Sequence, residues 1–111
     1  MSNGRLEVGL GAGWHEQEYR EYGISFPAIG VRQDQLEEAV QIVRSMLTNE
    51  STTFAGKYFQ VRNARCNPKP LQKRLPLWIG GAGEKRTLRS AARYADGWNI
   101  AYVTPQVFAT L

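Results

Sequence analysis

The clearest pattern of hydrophobic and polar positions lies between residues 34 and 47. Apolar side chains recur there at intervals of three and four, on one face of a helix: Leu36, Ala39, Val40, Val43, Met46 and Leu47. Acidic side chains stand near the start of this stretch, where they favour a helix N-terminus: Asp34, Glu37 and Glu38. The pattern predicts an amphipathic helix, preceded by a loop at 24–31 that contains Pro27 and Gly30.

Short apolar runs on both sides of this helix predict strands. Residues 5–10, 77–79 and 98–102 form three such runs, and 52–62 is typical of a hairpin. Residues 14–22 predict one or two helical turns, and a second helix is expected before Asp96. Alternating strands and helices favour a parallel α/β sheet. A parallel sheet needs both faces covered, and two helices barely cover a sheet of three strands. Residues 1–111 are therefore expected to be one segment of a larger architecture.

Composition narrows the chemistry of this 111-residue chain. Its single cysteine, Cys66, and single histidine, His15, argue against a metal site, and Cys66 is expected to be inert. No apolar run is long enough to span a bilayer, and the first residues lack the apolar core of a signal peptide. We therefore expect a cytoplasmic protein with no membrane partner and either an organic cofactor or none.

Charge is distributed unevenly between the two halves. Residues 1–56 carry four basic and eight acidic side chains, a net charge of −4, whereas 57–111 carry ten basic and two acidic ones, a net charge of +8. A basic half can bind nucleic acid or a phosphorylated cofactor. Aromatic residues do not interleave with the basic ones as a stacking platform requires, so nucleic-acid binding is not expected. A basic binding module remains the alternative from another functional class.

Two of the predicted strands end in glycine-rich loops, at 9–13 and 80–83. The carboxyl ends of parallel strands lie on one side of a sheet, where ligands bind, and glycine lets backbone approach a ligand closely. The second loop leads into a helix, whose N-terminus attracts an anion, so Gly81, Ala82 and Gly83 predict a phosphate site with Arg86 as the favoured side-chain contact. The alternative is a tight strand-to-helix turn. Neither loop matches a Rossmann or P-loop motif.

The ordered motifs along the chain are more specific than the glycines. They are Gly-Leu-Gly-Ala-Gly-Trp-His-Glu at 9–16, Glu-Tyr at 18–19, Gly-Ile-x-Phe-Pro at 23–27 and Arg32, followed by Phe-x-Gly-Lys-Tyr-Phe at 54–59, Pro-Lys-Pro-x-Gln at 68–72, Pro-Leu-Trp-Ile-Gly-Gly at 76–81 and Tyr-Ala-Asp-Gly-Trp at 94–98. In order and spacing they resemble the middle of the luciferase-like oxidoreductase family. The branch that uses the deazaflavin coenzyme F-420 is the most similar, with flavin mononucleotide (FMN) users next.

This resemblance implies a partial (β/α)8 TIM barrel, with the predicted strands as its fourth, fifth and sixth. It implies hydride transfer between F-420 and a small organic substrate, or oxygen activation if the coenzyme is FMN. Gly11, Ala12 and Gly13 are then expected near the coenzyme, with its phosphate held by Gly80, Gly81, Ala82 and Gly83.

Other roles follow from position in the barrel. Asp96 and Gly97 precede a strand at the edge opposite the active site, where residues serve stability. His15 is the candidate proton donor, although hydrogen bonding to loop backbone is the alternative. Because a barrel of this kind takes about 250 residues, a truncated, non-catalytic fragment is the other interpretation. A homo-oligomer is the alternative to a single chain, although three strands do not divide the eight of a barrel.

Overall fold

The computed structural model describes residues 3–13, 15–81, 89 and 93–99. The elements are β1 (Val8–Gly11), α1 (Glu16–Glu21), α2 (Ile29–Thr48), β2 (Thr52–Ala55), β3 (Gln60–Ala64), β4 (Leu77–Gly80) and β5 (Gly97–Asn99). Strands β1, β4 and β5 form a parallel sheet in that order, and β2 and β3 form a separate antiparallel pair. The predicted parallel sheet and the predicted hairpin are both confirmed.

Helix α2 begins earlier than its apolar stripe predicts. The loop expected at 24–31 is wrong for its last three residues, because α2 starts at Ile29. Arg32 explains the difference: its backbone N–H donates to Ala28 at 3.0 Å and its guanidinium to the Pro27 carbonyl at 2.9 Å. The same guanidinium lies 3.9 Å from the centre of the Phe26 ring. These contacts to the preceding segment stabilise a first turn that has no apolar periodicity of its own.

The core lies between α2 and one face of the parallel sheet. Leu36 and Val40 of α2 pack against Leu77 and Ile79 of β4, and all four are buried. Side chains alternate between the two faces of a strand, so the residue between Leu77 and Ile79 points to the opposite face of the sheet. Trp78 lies on that opposite face, 36% exposed, in register with Gly9 on β1 and Gly97 on β5. A Cβ at Gly97 would lie 2.5 Å from the Trp78 ring, so this neighbour has to be glycine.

Glu38 attaches the β2–β3 hairpin to the helix. Its carboxylate accepts hydrogen bonds from the backbone N–H groups of Lys57, Tyr58 and Phe59 at 3.0 to 3.2 Å. A Cβ at Gly56 would overlap the same carboxylate. The position of Glu38 in the sequence suggests only a role near the start of the helix. In the structure it also accepts from three backbone N–H groups of the hairpin turn.

Asp96 joins three segments at the amino end of the sheet, where the sequence placed it. Its carboxylate accepts from Arg44 Nη2 at 2.5 Å, Arg74 Nε at 2.7 Å and the Leu77 backbone N–H at 2.9 Å. Partial burial alone would raise the pKa of Asp96. The hydrogen bonds from Arg74, Leu77 and Arg44, with the Arg44 charge, outweigh it and lower the pKa from 3.8 to about 2. The carboxylate is therefore ionised in the folded chain at neutral pH.

Other basic residues of the second half also serve the fold. Lys69 Nζ donates to the carbonyls of Met46, in the last turn of α2, and Cys66. Arg65 pairs with Glu50 at 3.5 Å. A cation at a helix C-terminus satisfies carbonyls that have no helical partner. Some of the basic residues after residue 56 therefore stabilise the connection between α2 and β4.

Candidate functional site

Two of the three strands of the parallel sheet end in glycine at its carboxyl edge. Gly11 at the end of β1 pairs with Gly80 at the end of β4, which pairs in turn with Asn99 of β5. A Cβ at Gly11 would lie 3.6 Å from the Gly80 carbonyl oxygen, an ordinary contact distance. The two glycine-rich strand ends are therefore neighbours, and a ligand could reach the backbone of both.

The loop after β1 folds back over helix α1. Gly13 has φ +88°, a conformation that side chains rarely adopt, and a Cβ there would overlap the hydroxyl of Tyr19. The Tyr19 ring in turn packs edge-on against Phe26, with ring centroids 4.7 Å apart. Ala12 is partly buried against the core. Gly13 is thus required by the packing of the loop, whatever the loop binds.

The loop after β4 is held from the neighbouring strand. Gly81 has φ +144°, and its carbonyl oxygen accepts a hydrogen bond from the Trp98 indole N–H at 2.9 Å. Sequence reasoning placed Trp98 only in a strand and missed this role. The available signal was that a partly buried tryptophan generally needs an acceptor for its indole N–H. Trp98 therefore orients the backbone that the sequence singles out for phosphate binding.

His15 stands just beyond the first glycine loop, at the start of α1. Its Nδ1 lies 2.5 Å from the Glu18 carboxylate, and the two side chains are 44% and 59% exposed. Sequence reasoning named no partner for this imidazole. The helical turns predicted at 14–22 were the available signal, since residues three apart on a helix are neighbours. The contact with Glu18 can orient the imidazole at a solvent-accessible edge, which is compatible with proton transfer.

Some of the predicted site residues lie outside the described part of the chain. The structure brings Gly11, Ala12 and Gly13 to the same edge as Gly80 and Gly81, whereas Ala82, Gly83 and Arg86 fall in a range that it does not describe. The phosphate contact of these three residues stays a prediction. Among the described residues, no group of three His, Cys, Asp or Glu side chains could hold a metal ion.

Comparison with known proteins decides the family. A model described as luciferase-like monooxygenase matches residues 1–111. The chain belongs to this family. The resemblance in the ordered motifs is confirmed, and so is the mixed α/β fold, since solved members of the barrel family cover most of the chain.

The relatives of this luciferase-like chain include users of F-420 and monooxygenases. It is 34% identical to an F-420-dependent glucose-6-phosphate dehydrogenase of Microbacterium testaceum over 98 residues, 88% of this chain and 28% of that protein. It is 28% identical to the pyrimidine monooxygenase RutA of Allorhizobium ampelinum, over 86% of this chain and 26% of that one.

A solved structure shows how much of the barrel is present. An F-420-dependent secondary alcohol dehydrogenase, in complex with an F-420–acetone adduct, superposes with a TM-score of 0.79 at 33% identity. The match covers 93% of this chain and 31% of that one. This luciferase-like segment is therefore a partial barrel, spanning about a third of the length of the proteins it matches. Within the described ranges, none of its helices has the length and apolar character needed to cross a membrane.

The indole of Trp98 provides a direct test of how the second loop is held. We expect Trp98→Phe to lower the free energy of unfolding by about 1 kcal/mol, because the ring packing is largely kept while the hydrogen bond to the Gly81 carbonyl is lost. Urea unfolding followed by the fluorescence of the remaining tryptophans measures this change. Trp78→Phe, on the other face of the sheet, is the matched control, because it loses only a longer, exposed hydrogen bond, from the Trp78 indole to Glu7 at 3.3 Å. Equal losses in the two variants would show that the Gly81 contact contributes nothing specific.

Proposed function

We propose that this chain is the part of an F-420-dependent oxidoreductase that holds the coenzyme at the carboxyl edge of the sheet. The observation that carries the proposal is the pairing of Gly11 with Gly80, which joins two glycine-rich strand ends into one surface of accessible backbone. The F-420-dependent relatives support the choice of coenzyme. When bound, the deazaflavin would supply hydride transfer to or from a small organic substrate.

The residues of the chain would contribute binding and orientation at this edge. Gly11, Ala12 and Gly13 would lie along the coenzyme, with Gly13 keeping the first loop folded against Tyr19. The second loop would bind the phosphate through backbone N–H groups of Gly80, Gly81, Ala82 and Gly83, with Arg86 as a side-chain contact. Since Trp98 engages the Gly81 carbonyl, the loop would need little reorganisation to bind.

His15 is the proposed proton carrier. Its Nδ1 is paired with Glu18, which would hold the imidazole in a fixed orientation for exchanging a proton with substrate. In this proposal the chain supplies the proton and the geometry, and the substrate is a small organic molecule.

An FMN-dependent monooxygenase is the second candidate, supported by the similarity to the pyrimidine monooxygenase. The same glycine edge would serve either coenzyme, because backbone contacts to a phosphate do not distinguish the two ring systems. Only a direct comparison of the coenzymes separates these candidates.

The test is a fluorescence titration of the chain with F-420 and, separately, with FMN, combined with urea unfolding at saturating coenzyme. We expect saturable binding of F-420 and a higher urea midpoint, because a ligand bound only by the folded state stabilises it. Tighter binding of FMN would support the monooxygenase instead. A chain that unfolds cooperatively but responds to neither coenzyme would contradict both and favour a non-catalytic fragment.

A further inference from the structure

A cleft of about 400 Å³ lies away from the glycine edge, between α2 and the segment that precedes Asp96. Its lining includes three arginines, Arg44 from α2, Arg74 from the connection to β4 and Arg93. Asp96 stands beside it, at the amino end of β5. The cleft therefore lies at the amino edge of the sheet, whereas the proposed coenzyme site lies at the carboxyl edge.

Positive charge in the cleft exceeds negative charge. Arg44 and Arg74 share one carboxylate, that of Asp96, at 2.5 and 2.7 Å. No acidic residue is among the described residues of the lining, and Arg93 has no ion-pair partner in the described part of the chain. Three guanidinium groups thus face one carboxylate, which leaves two positive charges for an anion to compensate.

Hydrogen-bond donors in the cleft are also only partly used. Arg44 donates through Nη1 to the Leu75 carbonyl and through Nη2 to Asp96, while its Nε is buried with no partner in the described structure. Arg74 uses only its Nε among the described residues. A buried donor without an acceptor is costly, and guanidinium groups match the geometry of a tetrahedral oxyanion with two parallel hydrogen bonds.

Polar and apolar groups complete the lining. Ser45, Thr48 and Asn49 provide hydroxyl and amide groups along one side of the cleft, and Tyr94 provides an aromatic surface. At about 400 Å³ the cleft has room for several water-sized groups, since one water molecule takes about 30 Å³. There is room for a small organic group attached to the anion.

From this charge excess and these unused donors, we propose that the cleft between α2 and Arg93 binds a phosphate-type oxyanion, either free phosphate or a small phosphate monoester. Arg93 and Arg74 provide most of the contact, and Arg44 is held in place by Asp96. This site is separate from the phosphate contact proposed for the coenzyme, because the two lie at opposite edges of the sheet.

Calorimetric titration of the full chain with inorganic phosphate and with phenyl phosphate tests the proposal, with sodium chloride at matched ionic strength as the reference. We expect saturable binding with a Kd on the order of 1 mM or below at low salt. Arg93→Gln should weaken binding about tenfold, because it removes one guanidinium without touching the Asp96 network. Arg62→Gln, the same change at an exposed position of β3 outside the cleft, should alter it less than twofold.

The two ligands distinguish the source of the anion. Stronger binding of phenyl phosphate identifies a monoester as the ligand, and equal binding identifies free phosphate; either supports the proposal. Binding no stronger than that of chloride, or equal effects of Arg93→Gln and Arg62→Gln, would overturn it. Displacement of phosphate by F-420 would also overturn it, since the anion would then lie at the coenzyme edge. Circular dichroism and a urea midpoint close to that of the unchanged chain verify that each variant is folded.

Discussion

Asp96→Asn is expected to lower the free energy of unfolding at pH 7 by about 2 kcal/mol. The substitution preserves the shape of the side chain but removes the charge that Arg44 and Arg74 share. It leaves the partly buried Arg44 of α2 without its carboxylate and weakens the acceptor for the Leu77 N–H. The Asp96 side chain is 29% exposed, so solvent screening keeps the loss below that of a fully buried ion pair.

The same substitution should change how stability depends on pH. The pKa of Asp96 is about 2 in the folded chain and is ordinarily 3.8. Because the folded state binds this proton less readily than the unfolded state, the stabilisation is present above about pH 4 and is lost as the pH falls towards 2. Asp96→Asn should remove this contribution, so the difference between the two proteins should shrink over that interval.

Urea unfolding between pH 7 and pH 2.5, followed by tryptophan fluorescence, measures both effects. Glu16→Gln is the matched control, because Glu16 pairs with Arg20 on the exposed surface of α1 at 2.9 Å. A surface pair of this kind contributes about 0.3 to 0.5 kcal/mol. A loss of the same size for Asp96→Asn, constant at every pH, would contradict the assignment of Asp96 as the connection between three segments.

Gly13→Ala is expected to have the second large effect, on both stability and coenzyme binding. An alanine at φ +88° costs about 1 to 2 kcal/mol of backbone strain, and its Cβ overlaps the Tyr19 hydroxyl. Tyr19 would have to move away from Phe26, which would disturb the loop that follows β1. We expect a total loss of about 2 to 3 kcal/mol in unfolding free energy and at least a tenfold weaker affinity for F-420.

Gly9→Ala is the control for this substitution. Gly9 lies within β1, four residues before Gly13. It has no positive φ, and a Cβ there meets nothing within 4 Å. Its replacement should change stability by less than about 1 kcal/mol. Tyr19→Phe removes the overlapping hydroxyl, so Gly13→Ala should cost less in that background than alone. Equal costs in the two backgrounds would show that backbone strain alone accounts for the effect.

The sequence by itself predicted the three strands of the sheet and the apolar face of α2. It also predicted that the glycine-rich strand ends lie at one edge of that sheet. The apolar stripe of α2 and the three apolar runs of the sheet are local patterns, since periodicity reports which face of an element is buried. The glycines after β1 and β4 could be assigned to one edge because parallel strands place their carboxyl ends together. The family, too, could be recognised from motifs that are contiguous in the chain. The start of α2 was misplaced, because its first turn depends on Arg32 contacts rather than on periodicity.

Only the tertiary structure decided which distant groups hold these loops in place. The contact of Arg44 with Asp96 joins residues 52 positions apart, that of Trp98 with Gly81 joins residues 17 apart, and the hairpin donors lie 19 to 21 residues from Glu38. A sequence pattern reports the local preference of the backbone and the side of an element that is apolar. Such partners depend on how the elements pack and on which hydrogen-bond donors then remain unsatisfied. They are therefore fixed only in the folded chain.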